Sequence, residues 1–487
     1  MEYEAVIGME VHAQVITASK MFCGCSADYA SAPPNTHTCP VCLGMPGVLP
    51  VANRAAIEAT VLTGLALNCE IPPFSKFDRK NYPYPDLPKG YQISQYDYPL
   101  CINGYLDISV GGQERRIRIR RVHLEEDTAK LMHVPGGSLI DFNRAGVPLM
   151  EIVTEADIRS AEEAYAYLVE LRSILRYLGV NTGNMEEGAM RCEANVSVRP
   201  KGAQEFGTKV EVKNLNSFRS VRLAIAYEIE RQTRLLERGE RVQQVTMGWD
   251  EERLQTVFQR SKEYAEDYRY FPEPDLPPLE LSREWVEAIR RRLPELPAAK
   301  RARFTAEMGI KMEDAEILAA DRAVAEYFEA AVRAANGAVA PQTVANWMVV
   351  EVLRLAREVE GGIEAIRVRP HDLISLIKMV GEGMITQTVG KEVLAEMFAT
   401  GAKAEEIVER RGLRQISDAD ALRQMVQEVL AQNPGPLQQY LEGKQTVFAF
   451  FVGQIMRATR GKANPHVVSA LLREELEKRG GSAAPTP

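Results

Sequence analysis

Within the apolar segment 5–16, polar and apolar side chains alternate with a period of two from Glu10 to Val15, which predicts a β-strand with two unlike faces. One face carries Glu10, His12 and Gln14, and the other carries the valines and the alanine between them. A carboxylate and an imidazole side by side on a strand form half of a cation site or an acid–base pair. The same pattern is typical of a half-exposed strand with a polar outer face, so this segment alone leaves both interpretations open.

Four later segments repeat the alternation of carboxylates with apolar residues. Their polar positions are His123, Glu125 and Asp127, then Glu151, then Glu193, Asn195 and Ser197, and finally Lys209, Glu211 and Lys213. Each segment by itself is consistent with a solvated strand face. If the strands line one face of a sheet, however, their carboxylates converge on a pocket with Glu10 and His12. Carboxylates so close together repel each other, so we expect hard cations such as Mg²⁺ between them.

The remaining pattern predicts an α+β protein, with a mixed or antiparallel sheet domain followed by helices. Hairpins are predicted at residues 105–124 and around 135–142, and helices after the capping box at Ser160 and over residues 218–236. Six prolines between 272 and 297 interrupt any continuous helix and indicate a domain boundary. We predict a sheet domain at 1–292, a helical domain at 293–405 and a helical tail at 406–487, the second break lying near Gly401 or Gly412.

Composition narrows the functional classes. The chain has 487 residues, 45% hydrophobic and 26% charged, which is typical of globular domains. A net charge of −8 argues against binding nucleic acid through overall charge, although a local basic patch remains compatible with it. We find no apolar run of membrane-spanning length and no signal-peptide pattern at the acidic N-terminus, so we expect a cytoplasmic protein without membrane contacts.

Four of the seven cysteines lie within twenty residues and suggest a metal site. Cys23 and Cys25 form one close pair and Cys39 and Cys42 another, on either side of a loop of thirteen residues. Four thiolates in two pairs match a closed tetrahedral Zn²⁺ site, and a small loop with little core benefits from such a site. The alternative is four unrelated buried thiols. We predict a structural zinc site.

Three basic segments are further candidates. Residues 80–95 hold Lys80 and Lys89 among tyrosines, prolines and glycine, as in a loop that binds phosphate or in a structural Ω-loop. Five arginines between 115 and 121 suit either a face for nucleic acid or a salt-bridged edge strand. In the tail, a stretch without acidic residues suits a phosphate backbone or an acidic partner. Its basic residues are Lys444, Arg457, Arg460, Lys462 and His466.

Several motifs are absent from the sequence. It contains no phosphate-binding loop of the GxxxxGK[ST] type, no GxSxG elbow, no HExxH and no dinucleotide-binding fingerprint. A pocket that handles nucleotide phosphate here would therefore have to use metal ions and a non-standard loop.

Long stretches of the chain resemble the B subunits of the tRNA-dependent amidotransferases that act on glutamyl-tRNA(Gln) and aspartyl-tRNA(Asn). The matching segments are residues 7–14 (IGMEVHAQ), 82–95 (YPYPDLPKGYQISQ), 123–127 (HLEED), 141–153 (DFNRAGVPLMEIV), 211–219 (EVKNLNSFR), 267–278 (DYRYFPEPDLPP) and 452–465 (VGQIMRATRGKANP). They are long and extend from one end of the chain to the other. The family usually has Asp where this chain has Glu193, and a glycine-containing stretch where it has Thr128 and Ala129.

The resemblance implies a cradle-shaped sheet domain, a helical domain and a helical tail that binds tRNA. It implies that the sheet domain uses ATP and Mg²⁺ to phosphorylate the side-chain carboxylate of the mischarged amino acid, and that ammonia then displaces phosphate. The partners would be an amidase (glutaminase), which supplies ammonia from glutamine, and a small third subunit.

The resemblance also implies roles for residues of this chain. The catalytic and metal-site residues would be Glu10, His12, Glu125, Glu151 and Glu211, with Glu193 as a further Mg²⁺ ligand. Lys80, Lys89 and Lys213 would bind the nucleotide. Two other classes compete with this hypothesis: a non-catalytic, zinc-containing tRNA-binding scaffold, and an ATP-dependent ligase that acts on free amino acids.

Overall fold

The computed structural model describes residues 2–261, 268–415, 419–459 and 463–480. The chain divides into two compact units, Met1–Ala299 and Lys300–Pro487. The strands of the first unit are β1 (Tyr3–Gln14), β2 (Phe74–Ser75), β3 (Asp78–Asn81), β4 (Tyr91–Ser94), β5 (Cys101–Val110), β6 (Gln113–Glu126), β7 (Lys130–Val134), β8 (Gly137–Asp141), β9 (Pro148–Thr154), β10 (Met190–Pro200), β11 (Val210–Leu215), β12 (Val245–Asp250), β13 (Gln255–Ser261), β14 (Phe271–Pro272) and β15 (Leu279–Glu280). Its helices are α1 (Arg54–Ala66), α2 (Ala161–Tyr177), α3 (Phe218–Glu237) and α4 (Arg283–Arg290).

Eight strands of the first unit form one mixed sheet in the order β13-β12-β11-β10-β1-β9-β6-β5. Neighbouring strands are antiparallel except for the parallel pair β11 and β12. The predicted hairpins are present as β5–β6 and β7–β8. The sheet and the many helices confirm the predicted α+β class.

The two faces of the sheet differ as the alternation predicts. On one face, the apolar residues of β1, β6, β9, β10 and β11 join the main hydrophobic core with side chains of α1, α2 and α3. Side-chain caps begin these helices: Asn53 accepts hydrogen bonds at the start of α1, Ser160 at α2 and Ser217 at α3. Gly179, with φ +68°, follows the end of α2 in the left-handed conformation that favours glycine. The opposite face carries the polar residues and remains open.

The described part of the second unit is helical. Its helices are α5 (Pro297–Ala306), α6 (Met312–Ala319), α7 (Arg322–Ala335), α8 (Pro341–Trp347), α9 (Leu353–Ala356), α10 (Pro370–Gly381), α11 (Gln387–Thr400), α12 (Ala404–Arg410), α13 (Ala419–Gln432), α14 (Pro434–Leu441), α15 (Val447–Ala458) and α16 (Pro465–Gly480). A π-helical turn, Met348–Val352, joins α8 to α9.

Buried apolar residues of this unit form two clusters, one from Phe304 to Val408 and one from Leu422 to Leu476. The division into three domains with boundaries at 292/293 and 405/406 stays a prediction. None of the helices in the described ranges combines the length and the apolar character that crossing a membrane requires.

Candidate active site and metal centres

The open face of the sheet forms the floor of a cavity of about 990 Å³. Strands β6, β9, β1, β10 and β11 supply the floor, and the segment after β3 together with residues 268–270 supplies part of the wall. The sequence-predicted residues that line this cavity are Glu10, His12, Lys80, Glu125, Glu151, Glu193, Glu211 and Lys213. Period-two alternation on five adjacent strands therefore places side chains from distant parts of the chain in one pocket.

Three of these residues form the closest group. His12 Nε2 lies 3.5 Å from Glu125 Oε1 and 3.7 Å from Glu151 Oε2. One ligand atom from each of the three lies within 4.8 Å of the others. The sheet register explains this arrangement, since His12 on β1 is directly opposite Glu151 on the neighbouring strand β9. An imidazole nitrogen and two carboxylates at this range can hold a divalent cation.

His123 completes the group, although the sequence analysis gave it no role. It is opposite Glu151 in the β6–β9 register, and its Nε2 lies 3.1 Å from Glu151 Oε2 and 3.7 Å from Glu125 Oε2. Burial disfavours the imidazolium, but the two carboxylates outweigh burial and raise the pKa of His123. Its placement on the same face as Glu125 was the available sequence signal.

The pKa values of three carboxylates in the cavity are shifted in different directions. Burial acts against the charged form of Glu151, but His123 and His12 outweigh it and hold its pKa well below the usual range. Glu125, which also accepts a hydrogen bond from Ser94 Oγ at 3.1 Å, has a lowered pKa for similar reasons. Burial, reinforced by Glu151 and Glu193, instead raises the pKa of Glu10. Of these three carboxylates, the surroundings stabilise the charged form of Glu125 and Glu151 and disfavour that of Glu10.

The ammonium of Lys80 interacts electrostatically with Glu125 and Glu151. Burial opposes its ammonium form, but Glu125, Tyr270 and Glu151 together raise the pKa of Lys80. Its Nζ lies 5.0 Å from the ring centroid of Tyr268, within the range of a cation–π contact. A cation held between aromatic rings and carboxylates is suited to bind an anionic substrate group.

The other predicted acidic residues have protein partners. Glu193 accepts a hydrogen bond from Lys213 Nζ at 2.9 Å, and Glu211 accepts one from Thr246 Oγ1 at 2.8 Å. Glu10 accepts one from Asn195 Nδ2 at 2.9 Å. Among the described residues, the acidic cluster close enough to share one ion is the His12 group, and the expectation of further cations between the other carboxylates stays a prediction.

Lys89 does not line the main cavity with Lys80, and its role in binding the nucleotide stays a prediction. Its ammonium forms an ion pair with Glu126, which alternation directs away from the Glu125 side of β6. Both residues line a second cavity of about 100 Å³ that also contains Cys23 and Cys42. A one-residue step along the strand separates the two environments.

The structure brings the four predicted cysteines together, with their Sγ atoms within 4.8 Å of one another. A hydrogen bond from Cys23 lowers the pKa of Cys42 to about 5, which favours a thiolate. The ammonium of Lys20, whose residue is 1% exposed, donates to His37 O at 2.8 Å and Phe142 O at 3.3 Å and lies 3.8 Å from Cys42 Sγ. The cluster thus has a buried positive charge beside it.

Only part of the predicted tail cluster can be described. Lys444 and Arg457 are exposed, and His466 lies in the first turn of α16. Arg460 and Lys462 lie outside the described residues.

The sequence was also compared with protein families and with known proteins. Residues 5–287 match the family model of the GatB/GatE catalytic domain, and residues 326–476 match that of the GatB domain. The chain is 56% identical over 482 residues to a protein of Thermomicrobium roseum, with 98% of this chain and 99% of that protein covered. It is also 56% identical over 482 residues to one of Moorella thermoacetica (98% and 100% covered) and 53% identical over 479 residues to one of Thermodesulfovibrio yellowstonii (98% and 100% covered).

All three relatives are named as B subunits of an aspartyl/glutamyl-tRNA(Asn/Gln) amidotransferase. The similarity covers both the domain that contains the cavity and the helical region. The chain therefore belongs to the GatB family, the B subunits of the tRNA-dependent amidotransferases.

Proposed function

We propose that the cavity activates the side-chain carboxylate of glutamate on tRNA(Gln), of aspartate on tRNA(Asn), or of both, and converts it to the amide. The observation that carries the proposal is the group of His12, Glu125 and Glu151 on the floor of a cavity large enough for nucleotide and aminoacyl end, about 990 Å³. The names of the relatives supply the class of substrate.

The donor set of this group fits Mg²⁺. Two ionised carboxylates and one imidazole lie within 4.8 Å of each other, and their like charges are stabilised when a cation is shared. When bound there, Mg²⁺ would neutralise the negative charge that builds up on the phosphate oxygens during phosphoryl transfer.

The protein's own residues orient the reactants and neutralise their charge. An oxygen of the substrate carboxylate attacks the γ-phosphorus of ATP, the bond from that phosphorus to the bridging oxygen breaks, and ADP leaves. The nitrogen of ammonia then attacks the acyl carbon, phosphate leaves with the oxygen it received, and a proton passes from nitrogen to solvent. Lys80 binds anionic oxygen, and His123 holds Glu151 in place at 3.1 Å. Such chemistry requires positioning more than a covalent nucleophile from the protein.

The proposal includes partners and location. Proteins of this family are components of a multi-subunit enzyme, and we propose an amidase (glutaminase) partner as the source of ammonia and a small third subunit. Mischarged tRNA is the substrate-bearing partner. We place the reaction in the cytoplasm, where tRNA is charged.

The test is a transamidation assay on the assembled enzyme with both mischarged tRNAs, with and without the amidase partner. We expect phosphate release from ATP that depends on mischarged tRNA, followed by Gln-tRNA(Gln) or Asn-tRNA(Asn). A failure to release phosphate in the presence of either tRNA contradicts the proposal. Amidation of free glutamate or aspartate without tRNA supports the free amino acid ligase instead.

We further propose that the four cysteines bind a structural Zn²⁺. The cluster has four soft ligands. Among the described residues, no other His, Cys, Asp or Glu belongs to the group, which suits a closed four-coordinate site. Lys20 then offsets part of the excess negative charge that four thiolates carry around a divalent ion.

Replacing Lys20 with Met tests this role of the buried ammonium. We expect zinc to be transferred to a competing chelator about tenfold faster, because the variant removes a charge 3.8 Å from Cys42 Sγ and leaves two carbonyl groups without their donor. The measurement is the rate of zinc release to a colorimetric chelator. The matched control is Lys201→Met, an exposed lysine paired with Glu2, which should release zinc at the wild-type rate.

The described tail residues give a prediction about tRNA. Replacing both Lys444 and Arg457 with Gln should weaken tRNA binding by about tenfold and reduce its dependence on salt, because two exposed cations are lost from a surface that contacts phosphate. Filter binding at several salt concentrations measures both effects. Lys478→Gln in the same tail, whose ammonium is already paired with Glu474 at 2.7 Å, should bind tRNA like the wild type.

A further inference from the structure

The arginines of the β5–β6 hairpin do not all have the same environment. Four of the five on β6 form ion pairs. The pairs are Arg115 with Glu163 at 3.5 Å, Arg116 with Asp107 at 2.8 Å, Arg118 with Asp157 at 2.7 Å and Arg120 with Glu155 at 2.9 Å. These four contacts agree with the salt-bridged strand of the second interpretation above, but β6 is not an edge strand, because β5 lies outside it.

Arg121 is different from its neighbours. Arg120 and Arg121 both line the main cavity, but Arg120 is paired with Glu155, whereas Arg121 Nε is buried without a hydrogen-bond partner. Across the ranges that the structure describes, no carboxylate lies within ion-pair distance of its guanidinium. A buried donor without a partner costs about 1–3 kcal/mol, and more when it is charged, so its retention on a cavity wall requires an explanation, and a bound anion is one.

A β-bulge is the reason that Arg121 faces the cavity. The β6–β9 register shifts between Ile119, which is opposite Thr154, and Arg121, which is opposite Val153. Before the shift the odd-numbered residues of β6 face the core, and after it the even-numbered ones do. Without the extra residue, Arg121 would point into the apolar core and Val122 into the cavity. Bulges beside active sites commonly redirect a side chain in this way.

The bulge places Arg121 one step from the candidate metal ligands. His123, Glu151 and His12 form one row across β6, β9 and β1. Arg121 and Glu10 belong to the next row, with Val153 between them, roughly 6.8 Å further along the strands, which is twice the rise per residue. A cation at one row and a guanidinium at the next leave an anion-sized space between them.

Lys80 and Tyr270 line the same cavity as Arg121. Burial, reinforced by Glu125 and Glu151, raises the pKa of Tyr270, and the positive charges of Lys80 and Arg121 oppose that shift. The aromatic ring of Tyr270 stacks on Tyr96, with centroids 4.3 Å apart, which fixes its position. Two cations beside a rigid aromatic wall form a site for an anion with several oxygens.

We propose that Arg121 is a phosphate-binding residue of the cavity, and that its guanidinium binds phosphoryl oxygens of the nucleotide on the side opposite the His12 group. A planar guanidinium binds two phosphate oxygens at once, which satisfies its buried Nε–H. The inference rests on the proposed function, because it assumes that a nucleotide enters this cavity. The same phosphate chemistry could come from the tRNA backbone, and the experiment separates the two sources.

The experiment uses the assembled enzyme with Arg121→Gln and Arg121→Lys. The equilibrium dissociation constant of ADP with Mg²⁺ is measured by calorimetry, and that of uncharged tRNA by filter binding. For Arg121→Gln we expect nucleotide binding about 10- to 100-fold weaker, with tRNA binding unchanged, because a charge-assisted pair of hydrogen bonds is lost. Arg121→Lys should be intermediate, because it keeps the charge but not the two-pronged geometry.

Arg116→Gln is the matched control, since Arg116 is exposed, lies on the same strand and is paired with Asp107 outside the cavity. Thermal unfolding of each variant checks that the sheet is intact, and Arg121→Lys provides the test if Arg121→Gln does not fold. Nucleotide affinity for the Arg121 variants within twofold of the control overturns the inference. A loss of tRNA affinity with normal nucleotide affinity also overturns it and assigns the phosphate to tRNA.

The wild-type enzyme separates this inference from the proposed function. If it binds no nucleotide and releases no phosphate with mischarged tRNA, the proposed function fails. If it does both and Arg121→Gln behaves like the control, only the inference about Arg121 fails.

Discussion

Replacing Glu125 with Gln is expected to lower phosphate release from ATP, in the presence of mischarged tRNA, by at least about 100-fold. The substitution keeps the size of the side chain and its contact with Ser94 Oγ, but removes the charge next to His12 and Lys80. It therefore weakens the cation site and leaves the ammonium of Lys80 less compensated. Single-turnover measurement of phosphate on the assembled enzyme gives the rate, and hydrolysis of glutamine by the amidase partner should continue.

Glu4→Gln is the matched control for this variant. Glu4 lies on β1 with His12, but it is paired with Arg199 at 2.7 Å and lies outside the cavity. We expect the control to keep wild-type activity. Normal product formation by Glu125→Gln, together with normal tRNA binding, would contradict the active-site assignment and favour the non-catalytic scaffold.

Replacing Cys39 and Cys42 together with Ser is expected to remove zinc and to loosen the segment between β1 and α1. This segment has one isolated bridge, Ser19 to Ser26, and no helix or longer strand, so it depends on the cysteine cluster and on loop contacts such as His37 N–H with Asn143 Oδ1 at 2.7 Å. Structural zinc sites in small domains contribute about 10–16 kcal/mol of apparent binding free energy at neutral pH. We expect about one zinc per chain in the wild type and none in the variant, with a lower melting temperature.

Metal analysis and calorimetric unfolding measure the two effects. Cys192→Ala is the control, because Cys192 is buried in β10 and takes no part in the cluster. It should keep its zinc. A double variant with wild-type zinc content would contradict the assignment of these cysteines as ligands.

The alternation of side chains predicted which residues share the polar face of each strand. Glu10, His12, Glu125, Glu151 and Glu211 all face the same side because period two is a local property of a strand. The order of the strands is not local, since β1 lies between β9 and β10 and these pairings join segments far apart in the chain. The pattern therefore predicted that the carboxylates meet in one pocket only if the strands are neighbours in one sheet, and it did not predict the order of the strands.

The residues that the sequence analysis missed depend on contacts rather than on pattern. Arg121 faces the cavity because of a bulge, for which the one signal was the change of apolar positions from odd to even numbers along β6. Arg191 lines the cavity and donates to the buried Asp127 at 2.9 Å, a pairing between two strands that no local pattern indicates. Lys89 belongs to the same loop as Lys80, yet it is paired with Glu126 and lines a second cavity, so nearness along the chain did not indicate a shared environment.

The central position of β1 in the sheet has a consequence for folding during synthesis. During synthesis β1 pairs with β9 and with β10, where Tyr3 is opposite Pro200, so it stays unpaired until most of the first unit has been made. The cysteine cluster, by contrast, joins residues that follow β1 closely and can close early around its metal. Contacts between distant segments form slowly, while local ones form fast. We expect the cysteine segment to become compact first, and β1 to be the part of the nascent chain that most needs protection from aggregation.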